Sequence, residues 1–336
     1  MGNIIQELEK AELKGRGGAD FSTALKWKTV KEEKADKKFI ICNASEGEPG
    51  AFKDRYILEN YADDVISGMK IALETINKDS YGYIYLRKDY YDELKEKLNR
   101  LIGGLPIELF RETGGYLCGE ESTLLESIEG KREEPRIKPP FPTKEGLFGY
   151  PTLINNVETF YYASRIEKGD YAKTRFYSIC KAIPPGGVID GMFEEKGVFE
   201  LPENWSIEKI LKETNNFPDF DFFLQVGGGA SGKIITKKEL GEKVYGTGSI
   251  IIYDKKETVS ATLLKDWLSF FMKENCDKCV PCREGIYRIY EMLEDGEINE
   301  EVIEDMVFVL EKTSFCGLGK GAAMAIKTFA EKILKL

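Results

Sequence analysis

Histidine is absent from the 336 residues of this chain. With it go the side chain most often used for proton transfer near neutral pH and every Cys3His metal site. Long apolar runs are also missing: nothing approaches the roughly 18 residues of a membrane-spanning helix. The start "MGNIIQELEKAELKGRGG" lacks the charged-then-apolar order of a secretory leader. A cytoplasmic protein without membrane insertion is expected. Excess positive charge is lacking too, with 48 basic against 58 acidic side chains and a net charge of -10, which argues against general affinity for nucleic acid or anionic lipid. Internal repeats and low-complexity tracts do not occur. What remains is 42% hydrophobic and 32% charged, the composition of a soluble globular chain long enough for two or three domains.

Three textures follow one another. Residues 37 to 165 alternate strand-like runs ("KFIICNA", "YGYIYLR") with helix-like ones ("DRYILENYADDVISGMKIALETI", "YYDELKEKLNRLI"), which predicts an α/β layer with ligand-binding loops at the strand ends. From Phe176 to Asp254, short strands and turns, among them "PPGG", surround one helix, "SIEKILKE", as in a small α+β module. The last eighty residues read as short amphipathic helices. In the first of them Leu263, Leu264, Trp267, Leu268 and Phe271 share a face, and a bundle is expected.

Seven cysteines in a chain of this kind suggest thiols or metal ligands rather than disulfides. Cys42, Cys118 and Cys180 stand alone and are expected to be buried thiols. Cys276, Cys279 and Cys282 are set at two-residue intervals in "CDKCVPCREG", between two helices, and Cys316 lies in "SFCGLGKG", between the next two. Zinc usually draws on two paired knuckles, whereas three cysteines at this spacing with a distant fourth suit a cubane iron–sulfur cluster. Zinc and plain thiols are the alternatives.

Three loops carry the other candidates. "GRGGADF", from Gly15 to Phe21, precedes a helix start, so its backbone amides with Arg16 and Lys26 suit a phosphate or a flat ring; a tight surface turn is the alternative. "CNASEGEPGAFKDR" leaves a strand carrying Asn43, Glu46 and Glu48, which suits flavin or ribose contacts or merely a solvated acidic loop. "GGYLCGEESTLLESIEGKREEPRIKPPFP" places Glu120 and Glu121 at a helix start, then a proline-stiffened arm with Arg136, Lys138 and Phe141. "YPTLINNVETF" adds Asn155, Asn156 and Thr159.

Taken in order, "GRGGADFSTALKW", "CNASEGEPGAFKDR", "GGYLCGEESTLLESIEGKREEPRIKPPFP", "PTLINNVETF", "CDKCVPCREG" and "SFCGLGKG" resemble the flavin-bearing, NADH-oxidising subunit of respiratory complex I. Relatives of that subunit serve NAD-linked and electron-bifurcating hydrogenases and formate dehydrogenases. The resemblance implies an α/β, Rossmann-like FMN domain over residues 1–170, a small β-grasp α+β domain of the soluble-ligand-binding kind over 171–256, and a four-helix bundle carrying [4Fe-4S] over 257–336. It places FMN among Gly15, Arg16, Gly17, Lys26, Asn43, Ser45, Glu46, Gly119, Glu120, Asn155, Asn156 and Thr159. NADH is placed near Phe21, Glu48, Glu121, Lys138 and Phe141, and the cluster on Cys276, Cys279, Cys282 and Cys316.

The implied activity is hydride exchange between NADH and FMN, then one-electron transfer to [4Fe-4S] and to partner subunits, reversible or bifurcating according to those partners. The cofactors carry the chemistry, so no side chain is assigned as acid, base or nucleophile. Glu48 and Glu121 on ribose hydroxyls would repel a 2′-phosphate, while Lys138 pulls the other way. The implied partners are a thioredoxin-like [2Fe-2S] subunit and a larger iron–sulfur subunit of a hydrogenase, formate dehydrogenase or complex I-like assembly. Two departures stand out: the family usually has Asp where this chain has Ser45, and often an aromatic residue shortly after "LKW", where this chain reads "KTV". They motivate a second reading, an electron-relay or scaffold subunit without nucleotide turnover. A single cluster motif disfavours a third, the related ion-pumping membrane subunit.

Overall fold

The computed structural model describes residues 3–183, 193–296 and 299–334, so the expected "PPGG" turn lies outside the described residues. The chain folds as two compact units: Met1–Gly47 with Phe52–Arg175, and Glu48–Ala51 with Phe176–Leu336.

The first unit opens with helices α1 (Ile4–Lys10) and α2 (Thr23–Glu32), then alternates strands and helices. These are β1 (Lys38–Ala44), α3 (Lys53–Asn60), α4 (Ala62–Ile76), β2 (Ser80–Leu86), α5 (Lys88–Ile102), β3 (Ile107–Arg111), α6 (Glu121–Ile128), β4 (Thr152–Asn156) and α7 (Val157–Lys168). The sheet runs β3-β2-β1-β4 with its pairings parallel, as the α/β texture predicts. β1 is buried almost throughout, which explains its near-continuous apolar run: a parallel strand covered on both faces needs no polar alternation. The long helix expected over 54–76 is instead two helices broken at Tyr61. No proline or glycine marks that break. Tyr61 packs its ring 5.4 Å from Tyr161 and 6.2 Å from Tyr56, a tertiary cause that local sequence does not show. At Gly68 in α4 the α7 backbone approaches closely, since a Cβ there would fall 1.9 Å from the Phe160 carbonyl oxygen.

The second unit contains β5 (Thr174–Ala182), β6 (Phe193–Pro202), α8 (Ile207–Glu213), β7 (Phe222–Val226), β8 (Lys233–Ile235) and β9 (Ser249–Asp254), in a sheet ordered β6-β5-β9-β7-β8. β5 and β9 are parallel, whereas β7 runs antiparallel to both β8 and β9. Ile207, Ile210 and Leu211 of α8 complete a core with Tyr177, Ile179, Phe222, Leu224, Ile250 and Ile252. Helices α9 (Ser260–Glu274), α10 (Ile286–Asp295), α11 (Glu300–Thr313) and α12 (Gly317–Phe329) follow. The five apolar residues expected on one face of α9 are all buried.

These helices are joined to the sheet. Thr328 Oγ1 accepts a hydrogen bond from the β8 amide of Ile234 at 3.0 Å, Lys332 donates to the Ile234 carbonyl at 2.8 Å, and the Phe329 ring lies 6.1 Å from Phe223 of β7. The boundary expected near residue 256 therefore falls inside one compact unit. Cys42, Cys118 and Cys180 are buried thiols, as expected. Among the described residues no helix is long and apolar enough to cross a membrane.

Candidate functional site

The chain moves outward from β1 to β2 and β3, then returns to pair β4 on the other side of β1. In an open parallel sheet that reversal leaves a crevice beyond the carboxyl ends of the two strands, where ligands bind. Asn43 on β1 is in register with Asn156 on β4, so two of the expected residues stand side by side there. The glycine loop crosses this point: Gly15 N–H donates to the Phe21 carbonyl at 2.8 Å, and a Cβ on Gly17 would lie 3.4 Å from that of Asn156. Residues 17–22 are exposed, and Ser22 caps α2 by accepting from the Leu25 amide at 3.3 Å.

Arg16 behaves differently from the sequence expectation. Its side chain is buried, with the guanidinium donating to the Tyr171 hydroxyl at 3.2 Å and lying 3.9 Å from Glu158. Its backbone amide donates to Thr159 Oγ1 at 2.9 Å, so both residues fasten the loop to α7. The partly exposed cations here are Lys26 and Lys138.

An ionic lattice lies behind the crevice. Lys53, 1% exposed, is 2.6 Å from Asp54, 3.1 Å from Glu158 and 3.0 Å from the Asn156 side-chain oxygen. Burial alone would lower the lysine pKa, but Asp54, Glu158 and Glu46 together hold it above its ordinary value. Asn156 also donates to Asp54 at 2.6 Å and accepts from the Glu158 amide, capping α7. Glu46 turns inward and accepts from the amides of Asp54 and Arg55 at the start of α3 and from the Tyr90 hydroxyl at 2.9 Å. Burial and the neighbouring Asp54 carboxylate push Glu46 up to about 7, against the pull of Lys53 and these donors. Asn155 accepts from the buried Trp27 indole at 2.9 Å. Asn43 donates to the Gly119 carbonyl at 2.9 Å, drawing the third loop to the strand end.

At the head of α6, Glu120 caps the helix by accepting from the amides of Ser122 and Thr123, and Lys138 bridges Glu120 and Glu121 at 2.8 Å each. Burial opposes charge on Glu121, yet Lys26 and Lys138 hold its pKa below the usual carboxylate range. Arg136 is committed to Glu126 and Glu129, which fixes the root of the arm. Phe21 and Phe141 are about half exposed, and Lys26 sits 6.0 Å from the Phe21 centroid. Glu48 belongs to the second unit, where its Oε1 accepts from the amides of Ala230 and Ser231 at 2.9 and 2.8 Å.

Sequence reasoning missed Lys53, Asp54, Glu158 and Glu112. The first three were legible only as a charged helix start and an acid inside "NNVETF". Glu112, buried at the end of β3, accepts from Ser45 Oγ at 2.5 Å. A carboxylate is thus present at the position where the resemblance implied the loss of one.

In the second unit, Cys279 and Cys282 are buried, and Cys276 and Cys316 are partly exposed. Burial raises the Cys282 thiol pKa, and Cys279, Cys316 and Cys276 add to the rise, so the four thiols share one neighbourhood. Arg283 donates to the Asp277 carbonyl at 2.9 Å, closing the turn, and Cys316 stands at the N-terminus of α12. Among the described residues no three Cys, Asp or Glu side chains close on a single ion. Four thiols, three of them at two-residue spacing and none paired with histidine, fit a cluster, one thiolate per iron, better than tetrahedral zinc. Likewise, an exposed glycine loop at a helix start with two nearby lysines fits a flavin phosphate and ring.

Residues 8–165 match the Nuo51 FMN-binding domain, and residues 262–333 match the NADH-ubiquinone oxidoreductase-F iron-sulfur binding region. The second F-type NADH-quinone oxidoreductase protein of Rhizobium meliloti is 32% identical over 362 residues, covering 96% of this chain and 85% of that protein. The chain belongs to the NADH-quinone oxidoreductase F family. FMN and a [4Fe-4S] cluster are the cofactors of this F-family chain, and NADH is its family's substrate. The family extends to hydrogenases. The alpha subunit of the NAD-reducing hydrogenase HoxS of Cupriavidus necator is 35% identical, with 98% of this chain and 59% of that protein aligned. The HndC subunit of the NADP-reducing hydrogenase of Solidesulfovibrio fructosivorans is 32% identical, over 94% and 71%. The crystal structure of an H2-reduced NAD+-reducing [NiFe]-hydrogenase superposes with a TM-score of 0.83 at 28% identity, covering 98% of this F-family chain and 60% of that one.

Proposed function

We propose that the chain is the NADH-oxidising module of a multisubunit redox complex, exchanging hydride with NADH and passing electrons singly to iron–sulfur partners. The observation that carries this reading is the pairing, in one chain, of a glycine loop at a parallel-sheet switch point with four converging cysteines. FMN, when bound, supplies the exchange between two-electron and one-electron chemistry.

The chain's own residues hold and orient. Gly15 and Gly17 present backbone to the flavin nucleotide, Lys26 brings positive charge, and Asn43, Asn155, Asn156 and Thr159 fix the loops around it. The ionised Glu121 and its partner Lys138 face the nucleotide with both signs of charge, and Phe21 and Phe141 offer exposed rings. Relatives named for NAD and for NADP both occur, so the Glu121–Lys138 pair is where nucleotide choice would be decided. Within the second unit, the sheet with α8 is a β-grasp module of the soluble-ligand-binding kind, and α9 to α12 form the four-helix bundle holding the cluster through Cys276, Cys279, Cys282 and Cys316. A cytoplasmic location follows from the composition. The partners are a thioredoxin-like [2Fe-2S] subunit and a larger iron–sulfur subunit, and they set direction and any bifurcation.

The relay-only reading loses its motive at position 45, because Glu112 supplies a carboxylate within hydrogen-bond reach. An anaerobic visible titration of the cluster-reconstituted chain with NADH, then separately with NADPH, tests the proposal. Bleaching of flavin absorbance by one nucleotide supports it and names the nucleotide. Bound flavin that neither reduces overturns it in favour of the relay.

A further inference from the structure

Ser314 ends α11, its amide donating to the Leu310 carbonyl at 3.3 Å. It is 5% exposed, and its hydroxyl has no hydrogen-bond partner among the described residues. A buried hydroxyl left so costs on the order of 1–3 kcal/mol, and a serine on a helix has a ready remedy in the carbonyl one turn back. Thr29, Thr75, Thr214, Thr313 and Thr328 all take that remedy in this chain. Ser314, next after Thr313, does not.

Its surroundings show what the hydroxyl is kept for. A Cβ built on Gly319 would lie 2.3 Å from Ser314 Oγ and 3.6 Å from the Cys282 Cβ, so the Ser314 and Cys282 side chains both lie beside Gly319 at the start of α12. Glycine at 319 lets the hydroxyl sit there without a clash. Ser314 also precedes Cys316 with one residue between them.

We propose that the Ser314 hydroxyl donates a hydrogen bond to a sulfur of the [4Fe-4S] cluster and raises its reduction potential. The physical reason is charge: reduction adds an electron to an already anionic cluster, and a donor aimed at sulfur stabilises that form more than the oxidised one. The inference rests on the assignment of the four cysteines to the cluster. Iron content of the unaltered chain tests that assignment separately, because about four irons per chain must be present before any shift has meaning.

The experiment is an EPR-monitored redox titration of the cluster-loaded, full-length chain beside Ser314→Ala and Ser314→Thr. Alanine should lower the midpoint by an amount equivalent to about tenfold in the one-electron reduction constant, 59 mV for n = 1, while threonine, which keeps a hydroxyl, should restore it. An unchanged midpoint in the alanine variant at full iron content overturns the proposal, as does a drop that threonine fails to correct. If alanine alone loses iron, the hydroxyl holds the cluster rather than tuning its potential, and the proposal is overturned. Loss of iron from both variants overturns it, because the packing around residue 314 rather than its donor then matters.

Discussion

The two candidate sites solve opposite electrostatic problems. In the first unit Lys53, Asp54, Glu158, Glu46, Arg16 and Asn156 satisfy one another within the protein, so the loops over the strand ends are fixed by bonds the chain makes itself. In the second unit burial and the three neighbouring thiols raise the proton affinity of Cys282, and the Ser314 hydroxyl is left unmatched among the described residues. The first is a cradle built in advance, as preorganised binding requires. The second would be completed by a cluster, whose iron would take the place of the thiol protons.

The largest effect that would sharpen this contrast comes from Cys316→Ser. Iron should fall from about four atoms per chain to near none, while bound flavin per chain stays unchanged, as measured by iron analysis and by flavin extraction. Loss of flavin as well would break the separation. Next comes Lys53→Met, which leaves three buried carboxylates without their cation and should destabilise the first unit by about 3–5 kcal/mol. Urea unfolding followed by flavin release checks it, and an unaltered midpoint would mean that the lattice is not what fixes the cradle.

The smallest effect is one of pH. Glu46 is raised to about 7 in the folded chain, against roughly 4.3 in an unfolded one. Between those values the native state keeps a proton that the unfolded state releases, so this contribution is fully present below about pH 4.3 and is lost as pH rises through 7. Its size is on the order of 3 kcal/mol. Glu46→Gln cannot ionise and should flatten the fall in unfolding free energy between pH 5 and 8. A variant with the same slope as the parent would place the proton elsewhere in the lattice.

Legibility in the sequence followed the range of the interaction. β1 could be read from "KFIICNA" and the cysteine site from "CDKCVPCREG", because a strand period and a ligand spacing are local. The inward turn of Arg16 could not, since its partners Glu158 and Tyr171 come more than 140 residues later. Glu48 and Glu46 sit two positions apart in one loop, yet one is bound by the amides of Ala230 and Ser231 and the other caps α3. Nothing in "SEGEPG" distinguishes them. Ser45 and Glu112 show the converse: a departure that looked like a loss in one motif is met by a carboxylate from another strand end.

β8 is the outer strand of its sheet, and its Ile234 amide and carbonyl are bonded by Thr328 and Lys332 at the far end of the helical segment that begins beside Cys316. Unpaired outer strands recruit other chains. Cys316 therefore caps the helix whose far end covers the backbone of this outer strand, so the cysteine region and the sheet's edge are parts of one continuous helical segment.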